Sequence, residues 1–288
     1  MTSSNRRPST IRTLVAIAVA AALAMTFVSE PAGASPDHRS IGAVKPPKAR
    51  KKKAAPTTTV PQIPGTINVF AAASLTEAFQ EESGWFRLIY ARTATINFNF
   101  GSSTALATQI QQGAPADVYA SADEANVRKL SASNSLASDP LIFAHNRLAI
   151  LVGEGNPKHI TQLSDLARPD VKISLCAETV PCGKFAKQIV ADAKVTLTPV
   201  SFEADVKGVV TKVSLGEVDA GITYVTDALA TPSTTDGVRI PDENNVINAY
   251  PVAIPKSVQN DRLARSFALF LFTPLGQLIM RKHGFLPL

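Results

Sequence analysis

From residue 65 onward the chain alternates between apolar positions two apart and apolar positions three or four apart. Ile67, Val69 and Phe70 predict a buried strand, and Ala71 to Ala73 leave a turn without bulk. Ser74 then occupies a helix N-cap position with Glu77 three residues on, the pattern of a capping box. Leu75, Phe79, Phe86 and Ile89 share one face of the helix that follows, with Gly84-Trp85 expected to interrupt it. Ala94 to Phe100 alternates as a second strand. Gly101, Ser102 and Ser103 turn the chain into a second helix, with Leu106 and Ile110 inward and Gly113 at its stop. Ala116 to Ala122 is a third strand, and Asp123 caps a helix running to about Leu130. Phe143 to Val152 is a longer apolar strand. Strands alternating with helices predict an α/β fold with a largely parallel sheet.

The alternation continues in a second lobe. Val171 to Leu175 is a strand, and Thr179 to Ala186 turns into a helix with Pro181 at a first-turn position. Ser201 to Val210 leads into a helix with Val206, Val209, Val210 and Val213 on one side. Asp219 to Val225 is a strand ending near Tyr224. Val246 to Ile254 is a second long strand, expected to return to the first lobe, and helices at 260–272 and 274–282 flank Pro274. The expected division is 65–147 plus 250–288 for the first lobe and 148–249 for the second. Two crossings between lobes predict a hinge.

Composition changes the picture at the N-terminus. The chain has 288 residues, 45% apolar and 18% charged, with a net charge of +6. Residues 1–64 hold 10 Lys/Arg against 2 Asp/Glu, which leaves 19 against 21 for the remainder. The basic surplus therefore belongs to the tail, and the folded part gives no ground for nucleic-acid binding. Arg6, Arg7 and Arg12 precede the uncharged apolar run Thr13 to Val28, and Ala32-Gly33-Ala34 fits a cleavage site, so residues 1–34 are expected to be an export signal. Residues 35–64 are rich in Pro, Lys and Thr and cannot bury a core; a disordered tether is expected. No cysteine lies near the cleavage site to accept a lipid. The two cysteines, Cys176 and Cys182, are expected to be bonded in an exported chain, and without a neighbouring histidine they make no zinc site. His38, His145, His159 and His283 are scattered, and none is assigned a metal or a reaction.

The chemistry concentrates where strands run into helices. Ser74, Ser102, Ser103, Cys182, Val206 and Tyr224 all fall at predicted carboxyl ends of strands or the helix starts beyond them, where open α/β sheets bind ligands. They supply hydroxyls and backbone N–H groups, with Lys184 and Lys207 nearby and no carboxylate aligned as an acceptor. Unpaired N–H groups and the helix dipole both favour an anion. Donors without acceptors suit a fully ionised oxyanion, because a ligand carrying its own proton leaves that proton unpaired at about 1–3 kcal/mol. Each residue alone has a plain alternative: a cap for Ser74, helix starts for Ser102 and Ser103, a structural cysteine, a core valine, a half-buried tyrosine.

Taken in order, Phe70-Ala-Ala-Ala-Ser-Leu75, Asn99-Phe-Gly-Ser-Ser103, Gln112-Gly-Ala-Pro-Ala-Asp-Val118, Asn146-Arg-Leu148, Val180-Pro-Cys-Gly183, Asp205-Val-Lys-Gly208, Ala220-Gly-Ile-Thr-Tyr224 and Tyr250-Pro-Val-Ala-Ile254 resemble the molybdate-binding proteins of bacterial ABC importers, over about residues 65–288. The resemblance implies a two-lobed periplasmic-binding-protein fold of type II, each lobe a mostly parallel sheet flanked by helices. It implies a monomer that takes molybdate or tungstate, without a cofactor, and delivers it to a membrane permease of an ABC transporter. Position by position it assigns hydroxyl ligands to Ser74, Ser103 with Ser102 beside it, and Tyr224, and backbone donors to Cys182 and Val206. Relatives carry a small residue such as alanine at position 182, which a backbone donor tolerates. A Cys176–Cys182 bridge would pin that turn. The metal would enter as the oxyanion, with no cation site and no catalysis.

Other classes stay open on sequence. A sulfate receptor shares the charge and shape of the ligand. A serine hydrolase would need an elbow that Ser74 lacks and a histidine at a strand end. A polyanion-binding surface protein would use the basic stretch Lys45 to Lys53.

Overall fold

The structure, a computed structural model, describes residues 61–288. The expected export signal, and the tether up to residue 60, lie outside the described residues. The last residues assigned to the tether already belong to the fold: Ile63 is buried and its N–H donates to the Tyr90 carbonyl at 2.8 Å.

The first strand, β1 (Thr66–Ala72), leads through a 3-10 turn at Ala73–Leu75 into helix α1 (Thr76–Tyr90). β2 (Thr95–Gly101) precedes α2 (Ser103–Gln111), and β3 (Val118–Ala120) precedes α3 (Glu124–Ala132). The long strand β4 (Leu141–Gly153) follows. Then come β5 (Ile173–Cys176), α4 (Pro181–Asp192), β6 (Ser201–Glu203), α5 (Val206–Ser214) and β7 (Ala220–Tyr224). The chain closes with α6 (Val225–Ala230), β8 (Thr235–Arg239), β9 (Ile247–Ala253), α7 (Asp261–Phe270) and α8 (Pro274–Lys282).

The strands pair in the order β2-β1-β3-β9-β4-β7-β5-β6, with β8 on β4. The outer pairs β1–β2, β1–β3, β5–β6 and β5–β7 are parallel, as the strand–helix alternation predicts. The central pairs β3–β9, β4–β9 and β4–β7 are antiparallel, so β4 and β9 run against the strands beside them. β4 joins the two sides of the sheet. Its residues up to Arg147 pair with β9, and Leu148–Val152 pair with β7.

Several local expectations change. α1 runs without a break through Gly84-Trp85, because a glycine at an exposed helix position costs only about 1 kcal/mol and Phe79 and Phe86 hold the helix down on either side. Phe79 and Phe86 meet Phe267 of α7 edge-on at 5.8 and 5.4 Å. Ser201–Glu203 is a strand rather than the run-up to a helix, and β8 has no counterpart among the predicted elements, its polar composition giving no period-2 signal. α7 spans fewer residues than 260–272, because Asn260 caps it by accepting from Leu263 N–H at 3.2 Å.

Candidate oxyanion site

Ser74, Ser102, Ser103, Cys182, Val206 and Tyr224 line a single cavity, together with Ala122, Pro181 and Asp205. The cavity is small, about 20 Å3, a space suited to a small ion and far below the roughly 300–1,000 Å3 of a drug-sized pocket. The wall is assembled from the end of β1, the starts of α2, α4 and α5, and the end of β7.

Ser74 does not cap a helix. It sits inside the 3-10 turn, and α1 starts two residues later with no side-chain cap. The predicted capping box is therefore absent: Glu77 reaches Lys207 at 2.8 Å, and the Ser74 hydroxyl pairs with the Tyr250 hydroxyl at 2.8 Å. At α2 the local prediction holds. Ser102 is the N-cap, accepting from Ala105 N–H at 3.2 Å. Ser103 Oγ accepts from Ala122 N–H at 2.9 Å, while the Ser103 carbonyl receives the Tyr119 hydroxyl at 2.7 Å. A serine hydroxyl has one proton and two lone pairs. With a backbone N–H already donating to each oxygen, the protons of Ser102 and Ser103 are available to a ligand.

Cys182 is the second residue of α4 and Val206 the first of α5, so their N–H groups have no carbonyl one turn back inside the helix. Cys182 is bonded to Cys176, the last residue of β5. Gly183 completes the corner: a Cβ there would collide with the Ala177 carbonyl oxygen, so only glycine lets α4 start this close to β5. Asp205 is a correction to the expectation of a wall without carboxylates. It lines the cavity, and its Oδ1 is engaged as the α5 cap, accepting from Gly208 N–H at 3.2 Å. Tyr224 is 1% exposed, and its hydroxyl has no hydrogen-bond partner among the described residues.

Behind the wall lies a charged group that periodicity did not reveal. Lys207 Nζ is 2.8 Å from Glu77 on α1 and 3.3 Å from Asp227 on α6. That Asp227 oxygen is near enough for an ion pair but receives no hydrogen bond, while its other oxygen accepts from Tyr224 N–H at 3.2 Å. Burial pushes the Asp227 carboxyl up to about 6, against the pull of Lys207. Lys184, the other cation near these corners, lies over the Phe185 ring at 5.6 Å. Thr104 Oγ1 donates to the Thr179 carbonyl at 3.0 Å, so the starts of α2 and α4 are tied directly.

Residues 67–286 match the bacterial extracellular solute-binding proteins. The chain belongs to that family. This solute-binding protein is 39% identical over 220 residues to the molybdate-binding protein ModA of Mycobacterium tuberculosis H37Rv, covering 76% of this chain and 84% of that one. Among solved structures it resembles a substrate-binding domain assigned to a molybdenum ABC transporter of Clostridium difficile, at 27% identity, with a TM-score of 0.59, covering 78% and 99% of the two chains. The sulfate-binding protein SubI of Mycobacterium tuberculosis shares the fold at 20% identity, with a TM-score of 0.69, over 78% and 87%. The periplasmic-binding-protein fold expected from the sequence is thus the fold of its structural relatives.

Proposed function

We propose that this solute-binding protein captures molybdate, and tungstate with it, and delivers the anion to the permease of an ABC importer. The observation that carries this is the single small cavity lined by three serines, one tyrosine and the starts of three helices. Five or six charge-assisted bonds at about 1.5–3 kcal/mol each suffice for micromolar or tighter affinity. Ser74, Ser103 and Tyr224 donate hydroxyl protons, Ser102 stands beside them, and Cys182 and Val206 donate backbone N–H groups. The relatives named molybdate-binding support the choice of ion. In this reading residues 65–147 with 250–288 form one lobe, 148–249 form the other, and the monomer closes by bending where β4 passes between them. The protein works outside the cytoplasm, exported by the signal at 1–34 and tethered by the residues between that signal and the fold.

The reading assigns no bond-making chemistry. Ser74 Oγ pairs with a tyrosine hydroxyl rather than a histidine, which disfavours the hydrolase alternative. The sulfate reading is favoured by one observation, the fold shared with SubI. Titration calorimetry of the full chain against molybdate, tungstate, sulfate and phosphate decides. Saturable heats with molybdate and tungstate and little with phosphate are expected. Tight phosphate binding without a molybdate signal would overturn the proposal.

A further inference from the structure

We propose that Tyr250 is a positioning residue that donates to the Ser74 hydroxyl, so that the Ser74 proton is held for a ligand in the cavity. The inference rests on the oxyanion reading above and adds a residue from outside the cavity wall.

Ser74 and Tyr250 are buried, and their hydroxyls lie 2.8 Å apart. Geometry at that contact alone leaves either as donor. Asn146 breaks the tie. Arg147 N–H donates to Asn146 Oδ1 at 2.9 Å, which fixes which end of the amide is the carbonyl. The Nδ2 group then donates one proton to Thr226 Oγ1 at 3.0 Å and the other to the Tyr250 hydroxyl oxygen at 3.3 Å. Tyr250 therefore already accepts from Asn146, and its own proton goes to Ser74 Oγ, its other hydrogen-bond partner among the described residues; Tyr224 and Asn248 lie near that hydroxyl but outside hydrogen-bond geometry. Ser74, accepting from Tyr250, is left with one proton and a place on the cavity wall to direct it.

The tyrosine is held in place for this. Its ring is fully buried and meets Phe285, Tyr224 and Phe143 edge-on at 5.2, 6.2 and 6.4 Å. Burial pushes the phenol well above its ordinary value, so it keeps its proton. Ser102 and Ser103 reach the same state by accepting from backbone N–H groups on neighbouring elements. At Ser74 the outgoing β1 corner has no such amide, and a relay from β4 and β9, Asn146 to Tyr250 to Ser74, takes its place.

The consequence is specificity by protonation. A serine free to rotate could accept from a ligand that carries a proton, such as phosphate near neutral pH. A serine locked as a donor penalises that ligand and favours one with bare oxygens. Removing the Tyr250 hydroxyl should cost more with a bare oxyanion than with phosphate, whereas general damage to the corner would weaken both alike.

The test is a calorimetric cycle of wild type, Tyr250→Phe, Ser74→Ala and the double variant, titrated with molybdate, sulfate and phosphate. Tyr250→Phe is expected to weaken molybdate binding about tenfold and to leave phosphate unchanged or improved, narrowing the gap between them. In the Ser74→Ala background the second change should have less than about a twofold effect, since residues acting through one another are non-additive. Additive losses, or equal losses for molybdate and phosphate, would overturn the inference. If the wild type binds sulfate and not molybdate, the functional reading falls while the cycle, run on sulfate, still decides the role of Tyr250. If it binds none of the three, both fall. Should Tyr250→Phe fail to fold, neutron diffraction of the deuterated wild type supplies the answer. A deuteron on Tyr250 aimed at Ser74 Oγ supports the relay, and one on Ser74 aimed at Tyr250 refutes it.

Discussion

Removing the Tyr224 hydroxyl should trade binding for stability. The side chain is 1% exposed at the end of β7, and the hydroxyl is buried without a partner among the described residues. Such a group costs about 1–3 kcal/mol when nothing pairs with it. In the ligand-free protein Tyr224→Phe keeps the ring and removes that cost, so Tm should hold or rise by about 2–4 °C per kcal/mol recovered. With the oxyanion bound, the same hydroxyl makes a charge-assisted bond of about 1.5–3 kcal/mol, and its loss should weaken affinity roughly 10- to 150-fold. The two effects can be read together. Ligand at a thousand times the wild-type Kd stabilises by about 4 kcal/mol, and a Kd raised thirtyfold reduces that to about 2 kcal/mol. Thermal scans with and without molybdate should therefore show a higher baseline Tm and about half the ligand-induced shift, with calorimetry giving the Kd change directly. An unchanged Kd, or a lower Tm without ligand, would show that Tyr224 is a core tyrosine and not a ligand.

Two further outcomes follow from the disulfide and from a buried carboxyl. The Cys176–Cys182 bridge closes a separation of 6 residues, which the loop-entropy estimate converts to about 2 kcal/mol. Replacing both cysteines by alanine should lower Tm by about 4–8 °C and weaken molybdate several-fold by loosening the α4 corner; an unchanged melting curve would mean that Gly183 and Pro181 hold the corner unaided. Glu82 is buried with both carboxylate oxygens unpaired among the described residues, and burial, helped by the charge of Glu81, pushes it from 4.5 up to about 9. A carboxyl with a raised folded value stabilises the fold most below its unfolded value. That contribution should be lost as pH rises from about 4.5 to 9, and Glu82→Gln should flatten this part of the Tm profile and raise Tm at pH 8. Parallel profiles for the two proteins would sink the assignment.

The corners were legible because they are local. A strand, two or three small residues and a helix start are consecutive in sequence: α2 starts at the expected Gly-Ser-Ser turn, Asp123 is the expected cap, and Pro181 sits in the expected first turn. The same local logic misplaced Ser74. A capping box and a 3-10 turn followed by a helix share residue types, and what separates them here is Tyr250, 176 residues away. Lys207 likewise finds Glu77 130 residues earlier, and nothing in the apolar period of α5 points to it. Glu82 was hidden for a simpler reason. It lies on the stripe of Phe79 and Phe86, but a polar residue on an apolar face adds nothing to a hydrophobic period. β8 was missed because it is polar and pairs on β4 without burying a regular face.

The placement of Lys207 bears on how an anion is held at all. A lysine in the cavity would attract any anion, and its long stem would adapt to several sizes. Here the ammonium is withdrawn to two carboxylates, Glu77 and Asp227, and its charge is more than matched. What remains facing the cavity, apart from the Asp205 carboxylate engaged as the α5 cap, is neutral: hydroxyl protons and the first N–H groups of helices. The partial positive charge of three helix starts, α2, α4 and α5, substitutes for a formal charge without a counter-ion to displace. Such donors are fixed in position by the sheet, the disulfide and the backbone, so they discriminate by where oxygen atoms fall and by whether those oxygens carry protons. Charge attraction alone cannot do either. A site of this kind therefore selects a dianion by shape and protonation, and it needs a relay such as Asn146–Tyr250–Ser74 wherever a backbone amide is not at hand to aim the hydroxyl.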